Sequence, residues 1–204
     1  MATTFTAPRL ELVNALADAA VGAGTDRTLP MLCAVFLSGD KGAESVTLTA
    51  TDRFIMIQRV VQLEHALEDD IRALIPLEQV KTLVGVLKLS ARHPAPLEVT
   101  VDEPYLTVDK ISVPLEDREF VKFTSILEGA LERQGADINL LAVNLGYLTK
   151  IGKLSAAKAR KGVAHIRFTP AGHRRGDGQP GSLVVDLGDD GATRVLLMPA
   201  RVDT

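Results

Sequence analysis

Residues 71–116 read "IRALIPLEQVKTLVGVLKLSARHPAPLEVTVDEPYLTVDKISVPLE". The segment opens on a short apolar run ending in proline, "IRALIP", which reads as a strand. In "LEQVKTLVGVLKL" the apolar residues Val80, Leu83, Val84 and Leu87 recur at helical spacing and define one buried face. Three short stretches follow, "PLEVTVDE", "YLTVDK" and "ISVPLE", each rich in β-formers and separated by turn residues. The order is strand, helix, strand, strand, strand.

The same order extends outward in both directions. Upstream, "PRLELVNALADAAVGAG" predicts a helix, with Pro8 in its first turn. Leu12, Val13, Leu16 and Ala20 share one face, and Gly22 and Gly24 end it. "LPMLCAVFLSG" and "SVTLTATDRFIMIQRVVQLE" predict β structure with "GDKGAE" as the turn between them; Val46, Leu48 and Ala50 alternate as in a half-buried antiparallel strand. Downstream, "ADINL" begins a third pass. "VNLGYLTKIGKLSAAKARKG" predicts a helix with Tyr147, Ile151 and Leu154 on one face, followed by strands at "AHIRFTP", "SLVVDL" and "TRVLLMPARV". The chain is therefore an α+β protein of about three units of roughly 60–70 residues, a repeat of element order rather than of sequence. The half-helical stretch "DREFVKFTSILEGALERQGA" joins the second unit to the third. The expected domains are 1–126, holding two units, and 127–204, holding about one.

Composition narrows the function. Of 204 residues, 46% are hydrophobic and 4% aromatic, with no tryptophan, so the core is aliphatic. The one cysteine, Cys33, reads as a buried thiol and fits a reducing cytoplasm. No stretch approaches the roughly 20 apolar residues that span a membrane, and the N-terminus lacks the order of a signal peptide. His65, His93, His165 and His173 have no metal-ligand spacing, and no nucleophile elbow or phosphate loop is present. "EDD" at 68–70 reads as a solvated turn. An enzyme, a cofactor and a metal are not expected.

The net charge is −3, yet the cations are unevenly placed. From Leu140 to Gly176 there is no Asp or Glu, while Lys150, Lys153, Lys158, Arg160, Lys161, Arg167, Arg174 and Arg175 fall in that window. Lys150 and Lys153 read as a helix face opposite Tyr147 and Leu154. Lys81 and Lys88, seven apart, share a face of the earlier helix. Such faces suit phosphates, bound without base readout and weakened by salt; solvated helix faces are the alternative.

Several stretches resemble the bacterial DNA polymerase III beta subunit, the sliding clamp, in order along the chain. "TLPMLCAVFL" and "VTLTATDRFIMI" resemble its post-helix strand and T-A-T-D strand. "IPLEQVKTLVGVL" resembles a strand end and helix, and "DREFVKFTSIL" its "GRFPDYRRVLP" stretch. "VNLGYLTKIGKL" resembles the N-x-x-Y-L helix, and "VLLMPARV" the terminal "VMPMRL".

The resemblance implies a DNA-clamp fold with no chemistry. Helices would line a ring around double-stranded DNA, held without sequence specificity. Lys81, Lys88, Lys150, Lys153, Lys158, Arg160 and Lys161 would face that DNA. The resemblance also implies an apolar pocket for peptide motifs of a DNA polymerase and clamp loader. It maps to Thr51, Asp52, Phe54, Met56, Val121, Ile126, Leu196, Leu197, Met198, Pro199 and Arg201. The family's Gly-His-Arg after T-D is here Arg53, Phe54 and Ile55, the proline of "FPDY" is Val121, and the second Met of "MPM" is Ala200, so the pocket is expected to be reshaped. A family subunit has six units and this chain about three, so ring closure implies a homo-oligomer. The competing expectation is a clamp-like peptide-binding regulator or decoy that closes no ring.

Overall fold

A computed structural model describes residues 2–90, 93–121, 123, 143–155, 165–168, 182–187 and 192–198. The first unit is β1 (Thr3–Ala7), α1 (Arg9–Gly22), β2 (Ala34–Gly39), β3 (Ser45–Thr51) and β4 (Ile55–Gln62). The second is β5 (Ile71–Pro76), α2 (Leu77–Leu87), β6 (Leu97–Asp102), β7 (Tyr105–Val108) and β8 (Ile111–Pro114). Of the third, the described elements are α3 (Leu145–Gly152), β9 (His165–Phe168), β10 (Leu183–Asp186) and β11 (Thr193–Leu197).

The first two units exchange strands. A four-stranded sheet runs β1-β6-β7-β8, and a seven-stranded sheet runs β5-β2-β3-β4-β11-β10-β9. Thus β1 heads the second unit's strands, with Phe5 opposite Val99, and β5 heads the first unit's, with Ile75 opposite Val35. All pairings are antiparallel. One face of each sheet must then be covered. Leu12, Val13 and Leu16 of α1 and Val80, Leu83 and Leu87 of α2 do this, in one buried cluster with Leu48, Ile75 and Leu97. At the end of α1 the chain nearly touches the sheet: a Cβ on Gly22 would lie 2.9 Å from the Ala50 carbonyl oxygen, so only glycine fits there.

The third unit joins through β11, which pairs with β4 and sets Leu196 opposite Met56 and Val195 opposite Ile57. Ile151 and Leu154 pack on Ile55, Ile57, Val195 and Leu197. A buried polar group fastens the same junction. Asp18 of α1 accepts from the Ser155 backbone N–H (2.8 Å) and hydroxyl (2.6 Å). The Arg59 guanidinium of β4 lies 3.6 Å from the same carboxylate and also donates to Thr193 of β11.

The structure departs from the sequence reading in several places. β1 precedes the first recognised helix. The stretch 45–62, read around one strand, is a hairpin whose turn falls at Asp52–Phe54. "LPML" holds a 3-10 turn, Pro30–Leu32, before β2 begins. Cys33 is half-buried rather than buried; its thiol donates to the Asp26 carbonyl at 3.2 Å, and burial pushes its pKa up. The joining stretch is irregular over its described residues, 117–121 and 123. The expected strand start "ADINL", and Ile126, Lys158, Arg160, Lys161, Pro199 and Arg201, lie outside the described residues.

Candidate peptide-binding pocket

The turn between β3 and β4 is built by its own side chains. Asp52 Oδ1 accepts from the backbone N–H groups of Phe54 (3.0 Å) and Ile55 (2.9 Å). The Thr51 hydroxyl donates to the Ile55 carbonyl (2.8 Å) and accepts from the Arg53 N–H (3.1 Å). This Asx-type closure puts Arg53 at φ 80°, in the left-handed region where a side chain is strained. Glycine, which the sequence resemblance placed at this position, would take that φ freely, and arginine takes it at a local cost. Arg53→Gly is expected to leave the turn intact and change stability by no more than about 1 kcal/mol, with the relief of strain set against added unfolded-state entropy; thermal unfolding checks it.

The turn pushes the Phe54 ring outward, 53% exposed. Beyond β11 the Met198 N–H donates to the Phe54 carbonyl (2.8 Å), so the two segments stay paired past the strand. From the second unit, Phe120 and Phe123 carry the joining chain over the far face of the large sheet. Phe120 stacks on Phe36 at 5.1 Å and meets Phe123 edge-on at 5.5 Å, while Phe123 is buried with Met56, Val184 and Leu196. Between Phe120 and Phe123, Val121 is left 38% exposed.

These pieces enclose a cavity of about 410 Å³. Thr51, Phe54, Met56, Val121, Leu196 and Met198 line it, six of the residues mapped from sequence, together with Arg53, Ile55 and Phe123. The 3-10 turn and the residue before it add Met31, Leu32 and Leu29. The sequence reading assigned those three no role in the site; their signal was the apolar "TLPML" ahead of the strand. An apolar cleft with few polar groups suits a peptide's side chains, and two of the three methionines in it, Met31 and Met56, are joined at the rim by Met198, 42% exposed. Methionine repacks around differing shapes.

Two residues expected in the pocket stand elsewhere. Leu197 is fully buried on the helix side, with Ile55 and Ile57. Side chains alternate along a strand, so Leu196 faces the pocket and its neighbour cannot. Asp52 lines a smaller cavity of about 210 Å³ beyond Phe54, beside Tyr147 and Lys150. There it pairs with Lys150 at 3.1 Å. Lys150 also lies 5.0 Å from the centre of the Tyr147 ring, so it is not opposite Tyr147 as the helical spacing implied, and its charge is met within the protein. Burial first, and the Asp52 charge second, push the Tyr147 phenol up, so it stays protonated near neutrality.

The remaining candidate cations are sparse. Lys81 pairs with Glu78 at 2.9 Å. Lys88 and Lys153 are exposed, and neither has an ion pair among the described residues. Leu10, Val86 and Leu89 are also exposed on or just past α1 and α2. Among the described residues no cluster of His, Cys, Asp and Glu could hold a metal ion, and no helix is long and apolar enough to cross a membrane.

Strand-exchanged units, helices on one side of antiparallel sheets and a sheet continued from the first unit into the third define a DNA-clamp fold. The chain has the fold of the bacterial DNA polymerase III beta sliding clamps. A Pseudomonas aeruginosa sliding clamp matches with a TM-score of 0.73 at 12% identity, over 98% of this chain and 67% of that one. The Thermotoga maritima DNA polymerase III beta subunit gives 0.66 at 14%, over 98% and 66%. A P. aeruginosa clamp bound to griselimycin gives 0.67 at 13%, over 98% and 65%. The chain thus spans about two thirds of these proteins' length. No protein-family model and no curated protein matches it.

Proposed function

We propose that this protein is a non-enzymatic, sliding-clamp-like processivity factor. Its apolar pocket captures a short peptide segment of a DNA polymerase or clamp loader, and an oligomeric ring of the chain encircles duplex DNA. The observation that carries the reading is the pocket itself. It is assembled from four separated segments, the 29–32 segment, the 51–56 turn, Val121 and Phe123 of the joining chain, and the strand end at 196–198, where the third unit docks on the first. On this reading residues 1–126 form a two-unit clamp domain and 127–204 a shorter one, and the copies join through unpaired sheet edges, which otherwise invite pairing.

The ring is tested by solution mass together with retention on circular DNA. The reading expects an oligomer that stays on closed circles and is released when they are cut. Lys88→Glu with Lys153→Glu is expected to weaken retention at low salt, each lost phosphate contact lowering the salt slope by about one. A stable monomer that is not retained overturns the ring.

A second reading has an observation of its own. Of the helix-face lysines, Lys81 and Lys150 are neutralised by Glu78 and Asp52, and apolar Leu10, Val86 and Leu89 stand exposed. That favours a clamp-like regulator that captures the same peptides without closing on DNA. It predicts peptide binding with no retention on circles.

A further inference from the structure

We infer that the partner segment carries basic residues on one side of its apolar anchor, and that this flank lies in an acidic groove beside the pocket. The inference rests on the peptide-capture reading and specifies the partner it requires. Val121 and Phe123 wall two spaces: the pocket on one side, and on the other a groove of about 970 Å³. A chain leaving the pocket over Val121 enters this groove; three extended residues span roughly 10 Å.

The groove has an aromatic floor and a negative rim. Phe36 and Phe120 stack at 5.1 Å, with Phe123 set edge-on to Phe36 at 6.3 Å, and both Phe36 and Phe120 are partly exposed. The rim carries Glu103, Glu116, Asp117 and Glu119 against Arg72 and Arg118. Both arginines are already engaged. Arg118 pairs with Glu116 at 2.9 Å. Arg72 pairs with Asp40 and donates to the carbonyls of Gly39 and Ile71, each at 2.7 Å. Glu103, Asp117 and Glu119 are exposed and have no side-chain hydrogen bond or ion pair among the described residues.

The other end of the pocket is electrically different. In the small cavity beyond Phe54, Asp26 and Asp52 are balanced by Arg53 and Lys150. Asp52 is paired with Lys150, and Asp26 accepts from the Thr28 hydroxyl and N–H. A peptide lying across the site therefore meets a balanced cavity at one end and, at the other, an aromatic-floored groove with three carboxylates that have no partner among the described residues. Lysine suits the carboxylates, and arginine suits both the carboxylates and the ring faces. The charges make the site directional.

The test uses fluorescein-labelled peptides sharing the core Leu-Ala-Leu-Phe, with three serines, three lysines or three glutamates on either end, titrated against the full chain at low salt by anisotropy. Lysines on one end only are expected to tighten binding about fivefold to tenfold over serines, since exposed pairs are individually weak, and the gain should fade as salt screens it. Asp117→Lys with Glu119→Lys should abolish the preference and favour glutamates on that end. Binding of the serine-flanked peptide with no difference between the two lysine arrangements overturns the inference and leaves capture standing, as does a preference that survives the double variant. Failure of every peptide, serine-flanked included, overturns the capture reading and the inference with it.

Discussion

Asp18→Ala is expected to lower the stability of the chain by about 3–5 kcal/mol, the range for removing one partner of a buried ion pair. Asp18 is 4% exposed and Arg59 8% exposed, so the substitution strands a guanidinium between α1, β4 and β11. It also removes both acceptors of Ser155, which close the end of α3 against the first unit. Asp18→Asn should cost clearly less, because the amide oxygen still accepts from Ser155. Urea unfolding followed by circular dichroism reads both variants; the chain has no tryptophan to report. A loss under about 1 kcal/mol for Asp18→Ala would show that the apolar contacts of the junction hold the third unit without this group.

The second large effect separates two neighbours on one strand. Met198→Asp places a charge among Leu29, Leu32, Met56 and Leu196 and is expected to weaken peptide binding by about 100-fold or more, as for central anchors of an interface. Its side chain is partly exposed, so the fold should be untouched. Leu197→Ala is expected to do the reverse. It opens a cavity in the helix-side core and costs about 2–5 kcal/mol of stability, while leaving the pocket wall in place. Binding isotherms and unfolding curves on the two variants distinguish them; equal effects of both on binding would contradict the alternation of β11 about the sheet.

Much of this architecture could be read from the chain because the local patterns are strong. The 71–116 unit has clean helical spacing and alternating strands, and its five elements appear where the patterns place them. The third helix is legible for the same reason, with Ile151 and Leu154 inward. What escaped reading depends on the backbone or on distant partners. The Asp52–Phe54 turn lacks glycine or proline, and its left-handed residue is an arginine, so nothing punctuates 45–62. The 3-10 turn at Pro30–Leu32 is as apolar as the strand behind it. Leu196 and Leu197 cannot be told apart until β11 is registered on β4, because both faces of that strand are apolar. Lys150 counts as a helix-face cation until the fold brings Asp52, 98 residues away, within 3.1 Å. No local pattern marks Asp18 and Arg59, although together they close the junction between the first and third units.

On the proposed function, the 410 Å³ cleft receives a ligand of peptide character. The sequence supplies a direct probe, since three of its four methionines, Met31, Met56 and Met198, line that cleft and the fourth is Met1. Methyl resonances of methionine-labelled protein should be followed while griselimycin, which a P. aeruginosa clamp binds, is titrated in. Saturable shifts are expected at Met31, Met56 and Met198, none at Met1, and their loss in Met198→Asp at the two remaining cleft methionines. Saturable binding that leaves all three cleft methyls unmoved, or no binding at ligand concentrations up to the millimolar range, would contradict it.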